Sequence, residues 1–360
     1  MDVRQGPQAG LLYPLALEAQ QREAIWGGTA LATRYGKSGS TQTRIGESWE
    51  CWDANRVVSG QSVGETLADV RVRYGRRLTG GADPARIFPL LTKFIDARQA
   101  LSVQVHPGDA YALRVEHQPV GKTESWYILE AEPGASIVLG WNRNTSRGEY
   151  LERVRDGSLG DLLRRVPARA GDVFHLPAGT LHAIEAGIVL FETQQASDLT
   201  YRIFDYNRPG ADGKPRELHV EKAADVLDYA QGRGGALQSL TYSLDGLERT
   251  ALIADHNFWL ERIRLQERLC GIDLEGMPLA VTALDKPVEV EARGTSMMLA
   301  PYTSAVIPAE LGDVMVRALE RGASILAAAP PTRPDAVAKR FSRASVDFNA
   351  STAYLAQFAG

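Results

Sequence analysis

The chain has little cysteine, no surplus of positive charge and no long apolar run. Its 360 residues include only two cysteines, Cys51 and Cys270, which stand in no CxxC or CxxH spacing. Neither a disulfide framework nor a thiolate zinc site is therefore predicted. The formal net charge of −4 gives no electrostatic reason to expect nucleic acid or an anionic membrane as partner. No segment reaches the roughly 18 apolar residues of a membrane span, and no leader is apparent, so we expect a soluble, cytoplasmic protein.

What the chain does contain is a β-rich pattern long enough for two compact units. Hydrophobic residues make up 44% of the sequence and charged residues 23%, as in globular proteins. From Ile87 onward, short apolar runs alternate with Gly, Pro and Asp, which predicts a sandwich or barrel. Residues 148–166 instead place apolar side chains near helical spacing, which predicts a small helical insertion.

The second half of the chain echoes the first. Residues 170–192 run turn, strand, Pro, turn, strand, and residues 299–318 follow the same order, with Pro308 aligned on Pro177. His182 has no counterpart in the second half, so two related barrels with one metal site are predicted. A glycine-rich QGRGG stretch separates them. The predicted division is a metal-binding unit at 1–230, a second unit without metal ligands at 237–328, and a tail of unknown role at 329–360.

Four side chains have the spacing of a metal site. Strand periodicity places Gln104 and His106 on one face of the stretch LSVQVHPGD. Lys122 and Glu124 are again two residues apart, on a segment that leads into the apolar WYIL. His182 follows the tight turn LPAGTLHAI and begins a returning strand. The sequence therefore predicts that two imidazoles, a carboxylate and an amide converge on one ion.

These spacings are typical of the cupin fold, a jelly-roll barrel. Gly171, Pro177, Gly179 and His182 have the spacing of the second cupin motif, and Gln104-Val105-His106 takes the place of the usual HxH. The donor set suits one Zn²⁺ per chain first, with Mn²⁺, Fe²⁺, Co²⁺ or Ni²⁺ as alternatives, and leaves coordination positions open. The other four histidines are predicted to be structural or surface residues; they are His117, His175, His219 and His256.

From about Leu11 to about Ala328 the chain resembles the type I mannose-6-phosphate isomerases, in their shorter bacterial branch. The resemblance rests on IWGG at 25–28, GESWE at 46–50, FPLLTKFIDA at 88–97, LSVQVHPGD at 101–109, GKTESWYIL at 121–129, LPAGTLHAI at 176–184 and FETQQASDLTYRIFDYNR at 191–208. It implies a mainly β fold of two cupin barrels, of which the first carries the site. It also implies that zinc is held by Gln104, His106, Glu124 and His182, and that mannose 6-phosphate and fructose 6-phosphate are interconverted through a cis-enediol.

Such an isomerisation moves one proton between C1 and C2 and another between the two oxygens. Lys122 is a candidate for general acid or base, because burial and a nearby divalent cation both disfavour the ammonium form. Lys93 is a second candidate, with an ion pair to Asp96 as the structural alternative. Glu192 is a third, and it could instead orient Arg202. The sequence does not decide which of them is the base.

The phosphate of such a substrate requires cations, since no GxxxxGK[ST] loop occurs. Arg202 is the leading candidate, because a guanidinium binds an oxyanion in a bidentate way. Arg208 is a helper or a surface residue, and Lys122 can also contact substrate. Trp26 could stack on a sugar face or anchor the core.

Two other functions fit part of the pattern. A cupin iron oxygenase would use a His/His/carboxylate triad with open positions for O₂. A non-catalytic sugar-binding cupin would need the fold alone. Lys122, Glu192 and Arg202 beside intact ligands favour the isomerase, and turnover of fructose 6-phosphate distinguishes the three.

Overall fold

The computed structural model describes residues 10–37, 42–210, 213–330 and 334–358. The strands of the first half are β1 (Leu15–Leu17), β2 (Gln20–Gly28), β3 (Ile45–Cys51), β4 (Leu90–Ala97), β5 (Val103–Val105), β6 (Glu124–Ala131), β7 (Ser136–Trp141), β8 (Leu163–Pro167), β9 (Val173–Leu176), β10 (His182–Ile184), β11 (Ile188–Gln195) and β12 (Tyr201–Phe204). Those of the second half are β13 (Leu240–Leu244), β14 (Leu247–Ala254), β15 (Trp259–Arg264), β16 (Cys270–Asp273), β17 (Leu279–Ala283), β18 (Val288–Ala292), β19 (Thr295–Leu299), β20 (Ser304–Ile307), β21 (Asp313–Ala318) and β22 (Ser324–Ala329).

Helices are short and lie mostly outside the sheets. They are α1 (Ala30–Thr33), α2 (Leu67–Tyr74), α3 (Arg76–Thr79), α4 (Asp109–Tyr111), α5 (Arg147–Asp156), α6 (Val220–Val226), α7 (Pro334–Arg343) and α8 (Phe348–Ala356). Single turns of other helix types lie at Gly60–Ser62, Ala112–Glu116, Leu159–Leu162 and Ala309–Leu311. No helix in the described part of the chain is long and apolar enough to cross a bilayer.

The helical stretch predicted at 148–166 is shorter than expected. Helix α5 begins after Ser146, whose side chain accepts a hydrogen bond from the Glu149 N–H, and it ends at Asp156. Gly157 follows with φ of 80°, a left-handed conformation that terminates helices. Leu159–Leu162 form a further single helical turn, but residues from Leu163 onward pair with β7 as strand β8, so the helical prediction is wrong for residues 163–166.

The first barrel consists of two antiparallel sheets. One has the order β2-β3-β4-β11-β6-β9 and the other the order β12-β5-β10-β7-β8. Side chains from both sheets fill the space between them, among them Ile95, Trp126, Leu190 and Ile184. Helices α5 and α6 cover the outer face of the five-stranded sheet. This two-sheet packing confirms the predicted mainly β, jelly-roll type of fold.

The second half repeats this strand order. Its larger sheet runs β20-β17-β22-β15-β14-β13, as β9-β6-β11-β4-β3-β2 does in the first half, and β16-β21-β18-β19 corresponds to β5-β10-β7-β8. The turn at Pro308 joins β20 to β21, in the place where Pro177 joins β9 to β10. One strand crosses between the halves, because β1 pairs with β20 and extends the larger sheet of the second half.

The larger sheets of the two halves pack face to face. Phe94 and Phe191 of the first half share an apolar cluster with Leu252, Leu260 and Val306 of the second. Helices α7 and α8 lie against the second barrel, where Val337, Phe341 and Tyr354 join its core.

The division of the chain into domains at residues 230 and 328 stays a prediction.

Candidate metal centre and active site

Three adjacent strands bring the predicted ligands into one row. Gln104 on β5 lies directly opposite His182 on β10 on one side and Arg202 on β12 on the other. Because directly opposite residues of an antiparallel pair point to the same face, these three side chains share the inner face of the five-stranded sheet. His106 is two residues beyond Gln104 and therefore returns to that face.

The four predicted ligands converge as expected. The Nε2 atoms of His106 and His182 lie 3.1 Å apart, and Gln104 Nε2 lies 3.3 Å from His182 Nε2. Glu124 enters from the opposite sheet, with its oxygens 3.3 Å from His106 Nε2 and 3.2 Å from His182 Nε2. The two histidines and Glu124 are fully buried. They form the one group of three or more His, Cys, Asp or Glu in the described residues that could hold an ion.

The hydrogen bonds around this cluster leave the Nε2 atoms of both histidines unprotonated and able to bind a metal. Nδ1–H of His106 donates to the Leu199 carbonyl at 2.8 Å, and Nδ1–H of His182 donates to the Thr180 carbonyl at 2.8 Å. Both Nε2 atoms are therefore unprotonated and face each other. Neither Glu124 oxygen accepts a hydrogen bond of good geometry. Two unprotonated imidazole nitrogens beside a buried carboxylate fit a divalent cation.

The electrostatics keep each ligand in its binding form. Burial, followed by the charge of Lys122, lowers the pKa of His106 to about 3. Burial also lowers the pKa of His182. Burial alone would raise the pKa of Glu124, but Lys122 and the two imidazoles hold it well below its usual value. Neutral imidazoles and an ionised carboxylate are the forms that bind metal.

Lys122 lies against the cluster. Its Nζ is 2.8 Å from Glu124 Oε2, and its side chain is almost fully buried. Its backbone N–H donates to the Pro107 carbonyl, which ties the segment before β6 to the turn after His106. The cation is thus fixed beside the carboxylate, as the two-residue spacing predicted.

Lys93 and Glu192 form a second buried pair on the opposite sheet. They are directly opposite each other on β4 and β11, with 3.2 Å between Lys93 Nζ and Glu192 Oε1. Trp126 donates its Nε1–H to Glu192 Oε2 at 3.0 Å. Burial raises the pKa of Glu192, and the negative charge of Glu124 raises it further. A carboxyl with a raised pKa inside a buried site suits proton transfer.

Two structural alternatives for this pair are wrong. Lys93 does not pair with Asp96, because side chains three residues apart on a strand point to opposite faces. Asp96 instead accepts the Ala30 N–H at 2.7 Å. Glu192 does not bind Arg202 either; its cation is Lys93.

Sequence reasoning missed Glu47. Its Oε2 lies 3.5 Å from Lys93 Nζ and accepts Nε1–H of Trp49 at 2.6 Å. Burial would lower the pKa of Lys93, but the carboxylates of Glu192 and Glu47 raise it above its usual value, so the ammonium is held charged. The signal was present in GESWE, where strand periodicity puts Glu47 and Trp49 on one face.

Arg202 lies beside the row of predicted ligands, and part of its guanidinium has no hydrogen-bond acceptor among the described residues. Its Nη1 donates to the Glu217 carbonyl at 3.0 Å, while its Nε is buried without an acceptor among the described residues. Arg208 does not join it but binds Asp205 at 2.7 Å. Arg216, which sequence reasoning missed, binds the same carboxylate at 2.6 Å. Burial and, after it, the charge of Arg216 lower the pKa of Arg202.

Trp26 packs in the core. It is 4% exposed and shares an apolar cluster with Ile95 and Trp126. Its neighbour Gly27 pairs with Ala97, four positions along β4 from Lys93 and hence about 13 Å away. This packing supports the core anchor and disfavours sugar stacking.

The four remaining histidines lie outside the cluster. His175 Nε2 is 3.2 Å from Asp255 Oδ2, and the exposed His256 contacts the same carboxylate. His219 accepts the Arg202 N–H through Nδ1. His117 ends a helical turn in a left-handed conformation with φ of 54°.

The fold and the site define a double-cupin protein whose described residues form one candidate metal centre, flanked by two buried lysines. The family model described as "Phosphomannose isomerase type I, catalytic domain" matches residues 14–132. Mannose-6-phosphate isomerase of Streptococcus mutans is 39% identical over 253 residues, 68% of this chain and 77% of that protein. Mannose-6-phosphate isomerase ManA of Bacillus subtilis is 45% identical over 222 residues, 60% of this chain and 68% of that protein.

Solved structures agree. The crystal structure of mannose 6-phosphate isomerase from Bacillus subtilis superposes with a TM-score of 0.79 at 30% identity, covering 88% of this chain and 99% of that one. A zinc-bound mannose 6-phosphate isomerase shares the fold, with a TM-score of 0.68 at 16% identity over 89% of this chain and 100% of that one. The chain belongs to the type I phosphomannose isomerase family.

Proposed function

We propose that this protein is a zinc-dependent mannose-6-phosphate isomerase, which interconverts mannose 6-phosphate and fructose 6-phosphate. The observation that carries the proposal is the cluster of metal-binding atoms formed by His106, Glu124 and His182. Lys122 contacts this cluster, and the Lys93–Glu192 pair lies on the facing sheet. The substrate, mannose 6-phosphate, is inferred from membership of the type I phosphomannose isomerase family.

Gln104, His106, Glu124 and His182 would hold the metal. Two imidazoles and a carboxylate suit zinc, and the amide oxygen of Gln104 would complete the set. Zinc held there supplies a Lewis acid that stabilises negative charge developing on the sugar oxygens.

The remaining polar groups divide the proton transfers between them. Glu192, with its raised pKa, takes and returns the proton that moves between C1 and C2. Lys93 holds Glu192 in place from 3.2 Å. Lys122 lies next to the ligands and moves the proton between the two oxygens. The buried position of all three excludes bulk water from the reacting carbons.

Arg202 binds the phosphate. It lies on the strand next to Gln104, and adjacent strands are about 4.8 Å apart, so its long side chain reaches an anion one sugar ring away from the ligands. Its buried Nε without an acceptor is a donor available to an oxyanion. Arg216, fixed by Asp205, adds positive charge nearby.

Neither rival function accounts for the buried cations. An iron oxygenase or a non-catalytic sugar-binding cupin has no need of two lysines that are each almost fully buried beside carboxylates, because desolvating such charges is costly.

The direct experiment measures fructose 6-phosphate formation from mannose 6-phosphate in a coupled assay. We expect turnover that a chelator abolishes and Zn²⁺ restores. Elemental analysis should find about one equivalent of zinc per chain. A fully active sample free of divalent metal would refute the metal proposal, and a zinc-loaded sample without turnover would refute the isomerase.

We further propose a cytoplasmic location, with no nucleic acid or membrane partner. Its support is that both cysteines are free and buried, and that the net charge is −4. The units 1–230 and 237–328 are proposed as the metal-binding and metal-free cupin domains, because each forms two sheets, with β1 of the first unit as the one strand that joins a sheet of the second.

A further inference from the structure

The shared strand order locates the part of the second barrel that corresponds to the active site. In the first barrel β4 lies between β3 and β11 and points Lys93 inward; in the second, β15 lies between β14 and β22. Trp259 and Ile263 of β15 lie in the interior of the second barrel, whereas Leu260 faces the first barrel. Glu261 alternates with Leu260 and therefore points inward, on the strand and face that Lys93 occupies in the first barrel.

Glu261 is the centre of a buried polar cluster. It is 2% exposed, and its Oε1 lies 2.9 Å from Arg249 Nη1. Tyr242 donates its hydroxyl to Glu261 Oε2 at 2.8 Å. A carboxylate this deep in a barrel interior is tolerated only with such partners. The second barrel thus has no metal group among its described residues, yet it has a polar interior.

Helix α7, which follows the last strand, brings a second guanidinium to this cluster. Arg340 Nη1 lies 3.6 Å from Glu261 Oε1, and its Nε lies 3.2 Å from Glu275 Oε1. The guanidinium carbon is 5.1 Å from the centre of the Trp259 ring. The next residue, Phe341, packs against the rings of Tyr242 and Trp259.

We propose that the second barrel retains a binding site at the position of the active site, that this site recognises a guanidinium group, and that its resident ligand is Arg340 of the chain's own helix α7. Two carboxylates and an indole face are the partners that suit a planar, delocalised cation and suit a compact ammonium less well. The site therefore holds the C-terminal segment on the second barrel.

Unpaired polar atoms support a binding site over simple core packing. Arg249 Nε, Trp259 Nε1 and the Tyr354 hydroxyl are buried without a hydrogen-bond partner among the described residues. Cores rarely leave such atoms unpaired, so three of them in one interior indicate a polar environment that an ordinary apolar core would not have.

The test is chemical rescue in the full-length chain. Arg340→Ala should lower Tm by about 2–5 °C, and millimolar methylguanidinium should restore part of that loss. Methylammonium, which has the same charge but no planar fork, should not. Arg343→Ala is the matched control, because Arg343 lies on the same helix, is 45% exposed and shares Glu275 with Arg340 at 3.4 Å, whereas its other described ion pairs, with Asp245 and Asp273, lie outside the Glu261 cluster.

Rescue should be absent from wild type, from Arg343→Ala and from Arg340→Ala combined with Glu261→Gln. An unchanged Tm in Arg340→Ala, or equal rescue by both cations, would overturn the proposal. If Arg340→Ala does not fold, Arg340→Lys replaces it in a double-mutant cycle with Glu261→Gln. Tm losses that simply add in that cycle would show that the two side chains do not recognise each other.

Discussion

Replacing Lys122 by methionine tests the proton-transfer role most directly. Methionine keeps the length and most of the volume of the side chain, so the nearly closed packing around Lys122 is retained. What is lost is the ammonium 2.8 Å from Glu124 Oε2. Gln104, His106, Glu124 and His182 are untouched, and the metal should stay bound.

The expected loss in kcat is about 10²–10⁴-fold, the usual contribution of a positioned acid or base. That range corresponds to about 3–5 kcal/mol in activation free energy. KM should change little, because the phosphate contact proposed for Arg202 is intact. Steady-state kinetics on mannose 6-phosphate, with zinc measured on the same sample, give both quantities.

The matched control is Lys286→Met. Lys286 is partly exposed and donates to the Arg321 carbonyl at 2.6 Å in the second half of the chain. Its kcat should be that of wild type. If Lys122→Met also kept wild-type kcat with zinc bound, Lys122 would be a structural cation that only neutralises Glu124.

Three further predictions concern metal, phosphate and stability. His182→Ala should lose both zinc and turnover while keeping its circular dichroism spectrum; retained zinc would remove His182 from the ligand set. Arg202→Lys should have a kcat/KM between those of wild type and Arg202→Ala, with weaker inhibition by inorganic phosphate, and unchanged values in the Ala variant would move the phosphate site elsewhere. Lys37→Met breaks a buried ion pair of 2.7 Å with Glu50 and should cost about 3–5 kcal/mol in urea unfolding. Arg98→Met breaks an exposed pair and should cost under about 1 kcal/mol, so equal losses would contradict the burial argument.

The sequence predicts the ligand side chains well because their geometry is local. Gln104 and His106 are two residues apart on one strand, and Lys122 and Glu124 are likewise. Period-two alternation alone therefore puts each pair on one face. The same rule, applied to Lys93 and Asp96, would have excluded their pairing in advance.

Contacts that depend on how distant strands pair could not be predicted from local sequence patterns. Lys93 meets Glu192 because β4 and β11, far apart in the chain, pair in one register. Arg216 pairs with Asp205 from 11 residues later in the chain, and Arg340 pairs with Glu261 from about 80 residues later. Such contacts depend on topology, which no local pattern encodes.

The pairing of β1 with β20 has a consequence for synthesis. Val306 leaves the ribosome about 290 residues after its partner Leu15. At about 5–20 residues per second, the first strand waits roughly 15–60 s for its place in the sheet. Until then its backbone N–H and C=O groups face water or other chains. This pairing therefore forms only after β20 has been made, and a nascent chain released before that point exposes an unpaired strand whose Leu15 and Leu17 belong in the core.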